Sequence, residues 1–185
     1  MTGTDSVGGG EHLRLFCALR LPSEVVEALV DWQAGRLAGA GRRIVGREQL
    51  HVTLAFLGRR PRADVPAVAH ELRAAATAAT APTLVVRRYR ETRSVGMLVC
   101  DDEEGLATAL AADLHGRLER LGVYERERRP WLPHVTVVRF RKRPRLEPPL
   151  PDPGPFVTSE AAVYMSVLRP SGAQYSILES VGIGR

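Results

Sequence analysis

Residues 49–58 read QLHVTLAFLG and place a histidine and a threonine two positions apart inside an apolar run. Alternation along a β-strand directs His51 and Thr53 to one face and their apolar neighbours to the other. Two polar side chains therefore share one surface of a strand whose other surface is apolar. Such a pair, taken alone, is typical of hydrogen-bonded structural residues, so its meaning depends on the rest of the chain.

The same pattern returns in residues 131–140, which read WLPHVTVVRF. His134 and Thr136 follow His51 and Thr53 at an offset of 83 residues (134 − 51), again within apolar, strand-like sequence. A chain with five histidines and ten threonines among 185 residues is expected to contain about 0.3 His-x-Thr pairs by chance. Two pairs in matched contexts therefore indicate a duplication.

The duplicated unit is longer than the motif. A strand-helix-strand pattern over residues 15–57 returns over residues 98–140, and the same offset relates Cys17 to Cys100. A fixed offset between similar units is typical of an internal repeat. Both cysteines lie in apolar stretches, which predicts reduced core thiols and disfavours a disulfide or a metal site.

The remaining pattern predicts an α+β protein with antiparallel sheets and helices. Asp64 is expected to cap the second helix, and Gly122 to end the third. Residues 142–155 contain six prolines and are predicted to form a loop. The other predicted elements are strands at 13–20, 83–91, 95–101, 156–169 and 173–183, and helices from 22 to about 39, from 64 to 80 and from 106 to 121.

Charge and composition favour a soluble protein with a polyanionic partner. The net charge is +5, and 25 of the 26 basic residues are arginine. Eight basic residues fall within residues 126–145, and Arg42, Arg43 and Arg47 precede the first motif. Residues 1–11 have neither a basic start nor an apolar run, which predicts a disordered tail before a single domain over residues 12–185. We expect a cytoplasmic monomer that does not bind membranes.

Two histidines and two threonines around one centre suit in-line displacement at phosphorus. Histidine titrates near neutrality, so a neutral ring can activate water while a protonated ring protonates the departing alkoxide. The hydroxyls of Thr53 and Thr136 can hold the non-bridging oxygens. This scheme needs no cofactor and no metal, and no third zinc ligand recurs at ligand spacing around His134.

Three stretches together resemble one known family. HVTLAFLG (51–58) and PHVTVVRF (133–140) resemble the paired signatures of the 2H phosphoesterase superfamily, and LRLFCALRLP (13–22) resembles its RNA 2′,3′-cyclic phosphodiesterase branch, also called 2′-5′ RNA ligase-like. The resemblance implies two pseudo-symmetric lobes of antiparallel sheet with helices, and a cleft between the lobes. It also implies metal-free hydrolysis of a terminal 2′,3′-cyclic phosphate to a 2′-phosphate, with His51 as proton donor and His134 as proton acceptor.

Arg139 matches an arginine that follows the second motif in this family and is implied to bind phosphate. Strict alternation places it on the face opposite His134, so this role requires a β-bulge before it. The alternative is a surface salt bridge. Trp131 and Phe56 are expected to be core residues, with base stacking as the alternative.

Other functions remain open on the sequence alone. A binding module for RNA ends would keep the cleft without turnover, but two intact motifs favour an enzyme. Within the enzyme class, the alternatives are a cyclic phosphodiesterase acting on a small nucleotide of the ADP-ribose cyclic phosphate type, and a 2′-5′ RNA ligase. RNA ends or nucleotides that bear a 2′,3′-cyclic phosphate are thus the expected partners.

Overall fold

The computed structural model describes residues 11–170 and 172–184, and these residues form nine β-strands and three α-helices. Most of the predicted tail therefore lies outside the described residues, as does Ser171. In chain order the elements are β1 (His12–Arg20), α1 (Ser23–Arg36), β2 (Arg42–Ile44), β3 (His51–Pro61), α2 (Val65–Ala78), β4 (Thr83–Glu91), β5 (Val95–Asp101), α3 (Leu106–Arg120), β6 (His134–Phe140), β7 (Phe156–Val157), β8 (Glu160–Arg169) and β9 (Gly172–Gly182).

The strands form one curled antiparallel sheet in the order β7-β4-β5-β6-β3-β1-β8-β9, and β2 also pairs with β6. The two lobes meet where β6 lies beside β3, through the backbone pair Val52 and Val135. This architecture confirms the predicted fold class, with helices against the sheet and a cleft between the lobes. The main core lies on the helix-covered face and includes Leu15, Leu54 and Val137.

The third helix shows how local sequence sets these elements. Leu110, Leu114 and Leu118 lie one helical turn apart and are buried against the core, whereas Leu121, just after the helix, is 38% exposed. The carboxylate of Asp102 accepts hydrogen bonds from the first helical backbone N–H groups. No helix in the described part of the chain is long and apolar enough to cross a membrane.

The predicted cap of the second helix is wrong. The Asp64 side chain makes no capping hydrogen bond, and its backbone is already helical, with φ −76° and ψ −17°. A capping residue needs extended backbone so that its side chain can turn back onto the helix. Asp64 instead belongs to a short 3₁₀ turn over Arg62–Asp64.

The two strand-helix-strand units are not related by one offset throughout. Leu19 pairs with Val52 and Leu98 pairs with Val135, so the first strands correspond at an offset of 79 (98 − 19). The equivalence of the two cysteines at offset 83 therefore does not hold in the sheet. Both are nevertheless free and buried, as predicted, and burial raises the pKa of each thiol to about 12.

The proline-rich segment is a loop, as predicted, and it is fixed at defined points. The buried carboxylate of Glu91 accepts backbone hydrogen bonds from Arg145 and Leu146. Burial alone raises the pKa of Glu91, but its hydrogen bonds outweigh this and hold the pKa below its usual value. The predicted strand 156–169 is two strands, because β7 pairs with β4 whereas β8 pairs with β1 and β9.

Candidate active site

The four motif side chains meet where the lobes join. Val52 and Val135 are buried on the helix-covered face, so their neighbours along each strand project from the opposite face. Antiparallel pairing at this point sets His51 beside Thr136 and Thr53 beside His134. All four side chains are partly buried, and the structure therefore brings both predicted pairs to one surface.

A β-bulge follows each motif. On β6, Met97 pairs with Thr136 and Gly96 with Val138, which leaves Val137 as an extra residue. The extra residue reverses the alternation, so Arg139 returns to the face of Thr136 and lines the same cavity. The bulge that the phosphate-binding role of Arg139 required is present.

The bulge on β3 has the same position in its motif. Ala18 pairs with Thr53 and Cys17 with Ala55, which leaves Leu54 as the extra residue. The reversal turns Phe56 into the cleft, where it is 50% exposed. The expectation of a core role for Phe56 is therefore wrong, because it assumed unbroken alternation.

Each bulge is held by a buried polar side chain from a helix. A bulged residue leaves the strand ladder, so its carbonyl needs another donor. The Leu54 carbonyl oxygen lies 2.7 Å from Nε2 of His115 in α3. The Val137 carbonyl accepts from Nε2 of Gln33 in α1, also at 2.7 Å. Sequence patterns gave no sign of these contacts, which join residues 61 and 104 positions apart.

Aromatic side chains surround the His51 ring. It stacks on Phe16 and Tyr164, at centroid distances of 5.0 and 5.8 Å. Burial lowers the pKa of His51 to about 4; a hydrogen bond to the Gln49 backbone opposes this, and the nearby charges of His134 and Arg139 add to it. The His51 ring is therefore neutral at pH 7 in the free protein.

Backbone carbonyls fix the orientation of both imidazoles. Nδ1 of His134 lies 2.8 Å from the Leu132 carbonyl, and His51 bonds the backbone of Gln49, again two residues earlier. Nε2 of His51 lies 3.1 Å from the Thr53 hydroxyl. A ring that donates from Nδ1 to a carbonyl keeps Nε2 available for proton transfer when it is neutral.

The cleft contains a cavity of about 520 Å³ lined by His51, Thr53, Thr136 and Arg139, among others. His134 shares their face but is not among the lining residues. Arg43, one of the basic residues that precede the first motif, also lines it, as do Arg14 and Arg169, which sequence reasoning did not select. Alternation along β1 signals Arg14, which lies between the core residues Leu13 and Leu15, but nothing local points to Arg169 on the closing hairpin.

The predicted basic field contributes less to the cleft than its charge suggests. Among the basic residues of 126–145, Arg139 is the one that lines the cavity. Three other arginines of this run form ion pairs: Arg126 with Glu119, Arg129 with Glu127 and Arg143 with Glu91. Trp131 packs partly buried against the core, as expected, and its indole N–H donates to the Thr53 carbonyl at 3.0 Å.

Comparison with known families identifies the chain. The family model of the 2′-5′ RNA ligase superfamily matches residues 21–152. The chain belongs to this superfamily. The predicted family is confirmed, and so is the predicted enzyme class, phosphodiester hydrolase.

Relatives of this superfamily member span nearly its whole length. It is 29% identical to the RNA 2′,3′-cyclic phosphodiesterase of Thermus thermophilus, over 92% of this chain and 90% of the relative. It is 28% identical to the enzyme of the same name from Escherichia coli, over 91% and 96%. The crystal structure of E. coli LigT complexed with NADP+ superposes with a TM-score of 0.79 and 26% identity, over 95% of this chain and 99% of that one. The crystal structure of TT0787 of T. thermophilus gives a TM-score of 0.80 at 30% identity, over 92% and 98%.

Proposed function

We propose that this superfamily member hydrolyses the terminal 2′,3′-cyclic phosphate of RNA to a 2′-phosphate by metal-independent His/His catalysis. The observation that carries the proposal is the meeting of both His-x-Thr pairs around Val52 and Val135, in a cleft lined by arginines. The two curated relatives share the name of this activity. The proposed reacting group is thus a phosphodiester with one negative charge.

The geometry supports a two-proton scheme. Nε2 of neutral His134 accepts a proton from water, whose oxygen forms the new bond to phosphorus. The bond between phosphorus and the 3′ oxygen breaks, and Nε2 of His51 gives that oxygen a proton. The Thr53 and Thr136 hydroxyls donate to the non-bridging oxygens, and Arg139 offsets their charge. The products are a 2′-phosphate and a free 3′-hydroxyl.

The donor role sets a condition on His51. Its pKa of about 4 in the free protein leaves the ring unprotonated at neutral pH, whereas a donor must carry a proton. A bound phosphate places a negative charge beside the ring, and an opposite charge raises the pKa of a histidine. Substrate binding therefore takes up a proton at His51.

The test is turnover by the purified protein of a 2′,3′-cyclic mononucleotide in EDTA, with the product identified by ³¹P NMR. We expect a 2′-phosphate, and no effect of added Mg²⁺ or Zn²⁺. The double variant His51→Ala/His134→Ala, prepared in parallel, controls for contaminating nuclease. Binding without turnover would instead indicate an RNA-end binding module. Loss of activity in chelator that a divalent ion restores would contradict the metal-free scheme.

The same assay separates the alternative substrates. An ADP-ribose cyclic phosphate and a pair of RNA ends suitable for ligation are compared with the RNA cyclic end under one set of conditions. A much higher kcat/KM for the ADP-ribose compound would favour the small-nucleotide alternative. Joining of the RNA ends would favour ligation, in which a 5′-hydroxyl takes the place of water as the nucleophile and the same bond to the 3′ oxygen breaks.

A further inference from the structure

Three arginines in the cleft have no carboxylate partner among the residues that the structure describes. Arg14, Arg139 and Arg169 line the cavity, and within residues 11–170 and 172–184 no carboxylate pairs with them. Nε of Arg14 is buried and has no hydrogen-bond partner in this part of the chain. Some arginines outside the cleft do form ion pairs, as Arg87 does with Asp101.

These charges exceed what the proposed reacting group can neutralise. A 2′,3′-cyclic phosphate carries one negative charge. Arg139 is close enough to His51 to lower its pKa, so Arg139 would lie near this phosphate. Arg14 and Arg169 are on β1 and at the end of β8, on the other side of β3 from β6. A buried donor without a partner is costly, so the structure has a second position that suits an anion.

An exposed aromatic ring lies beside this second position. Phe56 lines the cavity, and the Arg14 guanidinium carbon is 5.2 Å from the centroid of its ring. The partners of Thr53 and Phe56 on β1 are Ala18 and Phe16, two residues apart, so Phe56 lies about 7 Å along the sheet from Thr53. Aromatic rings and guanidinium planes both stack on nucleobases.

We propose that Arg14, Phe56 and Arg169 form a subsite for the nucleotide on the 5′ side of the cyclic end. The arginines bind its phosphodiester, and its base stacks on the Phe56–Arg14 pair. A cyclic phosphate occupies the 3′ terminus, so an RNA chain leaves the catalytic centre only through its 5′ side. The subsite rests on the proposed function and gives it a substrate length, which is at least two nucleotides.

The test compares kcat/KM for a cyclic mononucleotide, A>p, and the dinucleotide ApA>p. We expect the wild type to prefer the dinucleotide by about tenfold or more, the worth of one stacked base. Phe56→Leu keeps apolar volume but removes the ring, and Arg14→Gln removes the charge; both are expected to bring the ratio toward one. Arg88→Gln, an exposed arginine of β4 outside the cavity, is the matched control and should keep the wild-type ratio.

Salt dependence gives a second readout. Loss of one phosphate contact makes the slope of the logarithm of the binding constant against the logarithm of salt concentration less steep by about 0.7 for a single strand. Arg14→Gln and Arg169→Gln should each reduce this slope for ApA>p more than for A>p, whereas Arg88→Gln should not. Arg169 is exposed at the end of a strand, so its variant serves if Arg14→Gln fails to fold.

Failure of the subsite is distinct from failure of the proposed function. A wild-type ratio near one, or a ratio that both cleft variants leave unchanged, would overturn the subsite even if A>p is hydrolysed. If neither substrate is hydrolysed, the proposed function fails. In that case calorimetry with 3′-AMP and ApA 3′-phosphate still tests the subsite: tighter binding of the dinucleotide that Arg14→Gln abolishes supports it, and equal binding overturns it.

Discussion

The two halves of the candidate active site have the same backbone arrangement but differ in chemistry. In β3 and in β6 the order is histidine, valine, threonine, a bulged residue, one apolar residue and then a side chain returned to the cleft. That returned side chain is Phe56 in one half and Arg139 in the other. The duplicated strand therefore fixes where side chains point, while the neighbouring residues decide what each half binds.

The environments of the two histidines differ in the same way. His51 stacks on an aromatic cluster that includes Phe16 and Tyr164, and no such ring contact is found for His134 in the described chain. Burial gives His51 its low pKa. The proposed function and subsite use this asymmetry: Arg139 would meet the charge of the phosphate and Phe56 would stack on a nucleobase, which would orient the substrate between two similar imidazoles.

Removal of either histidine has the largest expected effect. His51→Ala and His134→Ala should each lower turnover by about 10² to 10⁴, the usual contribution of one general acid or base. Thr53→Ala and Thr136→Ala should cost less, because each removes one hydrogen bond to the phosphate and leaves both proton transfers in place. Steady-state kinetics with circular dichroism as a folding control measures this, and wild-type rates in both histidine variants would refute their catalytic role.

A substrate with sulfur at the 3′ bridging position separates the two roles. A thiolate leaves far more readily than an alkoxide and needs little protonation. The substitution should therefore rescue His51→Ala substantially and leave His134→Ala impaired, since water must still be deprotonated. Rescue of His134→Ala alone would reverse the roles of the two halves.

The positions of the motif residues could be predicted from the sequence, whereas the bulges and the contacts that hold them could not. Alternation placed His51 and Thr53 correctly because no bulge precedes them. The same rule failed for Phe56, and it required a bulge for Arg139 without any local sign that one is present. Gln33 and His115 hold those bulges from distant helices, and Arg169 reaches the cleft from the last hairpin; such contacts arise from tertiary packing, which periodicity does not encode.

The low pKa of His51 predicts a pH-dependent stability. The unfolded chain has a histidine pKa of about 6.5, and the folded one of about 4. Between these values the unfolded state binds the additional proton, so the free energy of unfolding should fall as the pH decreases from 6.5 to 4, by at most about 1.4 kcal/mol per pH unit.

His51→Phe preserves a ring in the aromatic cluster and removes the titration. Urea unfolding of this variant should therefore lack most of the pH dependence seen in the wild type between 6.5 and 4. Glu91, whose lowered pKa acts below about pH 4.5, is common to both proteins and cancels in the difference. Equal slopes in the two proteins would show that His51 titrates normally.

The positive charge of Arg139 contributes to the difference between the two halves of the site. Its positive charge lowers the pKa of His51, so Arg139→Gln should raise that pKa, as followed by NMR titration of the ring. The same variant should weaken binding of inorganic phosphate by about tenfold, the loss of one charge-assisted hydrogen bond. Arg88→Gln is the control for net charge, and an unchanged His51 titration in Arg139→Gln would place the guanidinium outside the catalytic centre.

The smallest expected effect concerns the two positioning residues, and it tests whether each bulge serves its own half. Gln33→Leu removes the side-chain hydrogen bond to the Val137 carbonyl, which still accepts a hydrogen bond from the backbone N–H of Val45 at 3.1 Å. His115→Phe keeps a ring beside Tyr124 but removes the donor to Leu54. Each should cost about 1 to 3 kcal/mol of stability.

The two substitutions should affect the kinetics differently, because each acts on a different half of the site. Gln33→Leu is expected to act through Arg139 and reduce kcat/KM for A>p and ApA>p alike. His115→Phe is expected to act through Phe56 and reduce the preference for ApA>p. His115→Gln retains an N–H donor and should restore that preference, which a purely structural role would not predict. If both variants lower stability but leave the kinetics of both substrates unchanged, the bulges keep their shape without these side chains, and the asymmetry of the cleft depends on Phe56 and Arg139 alone.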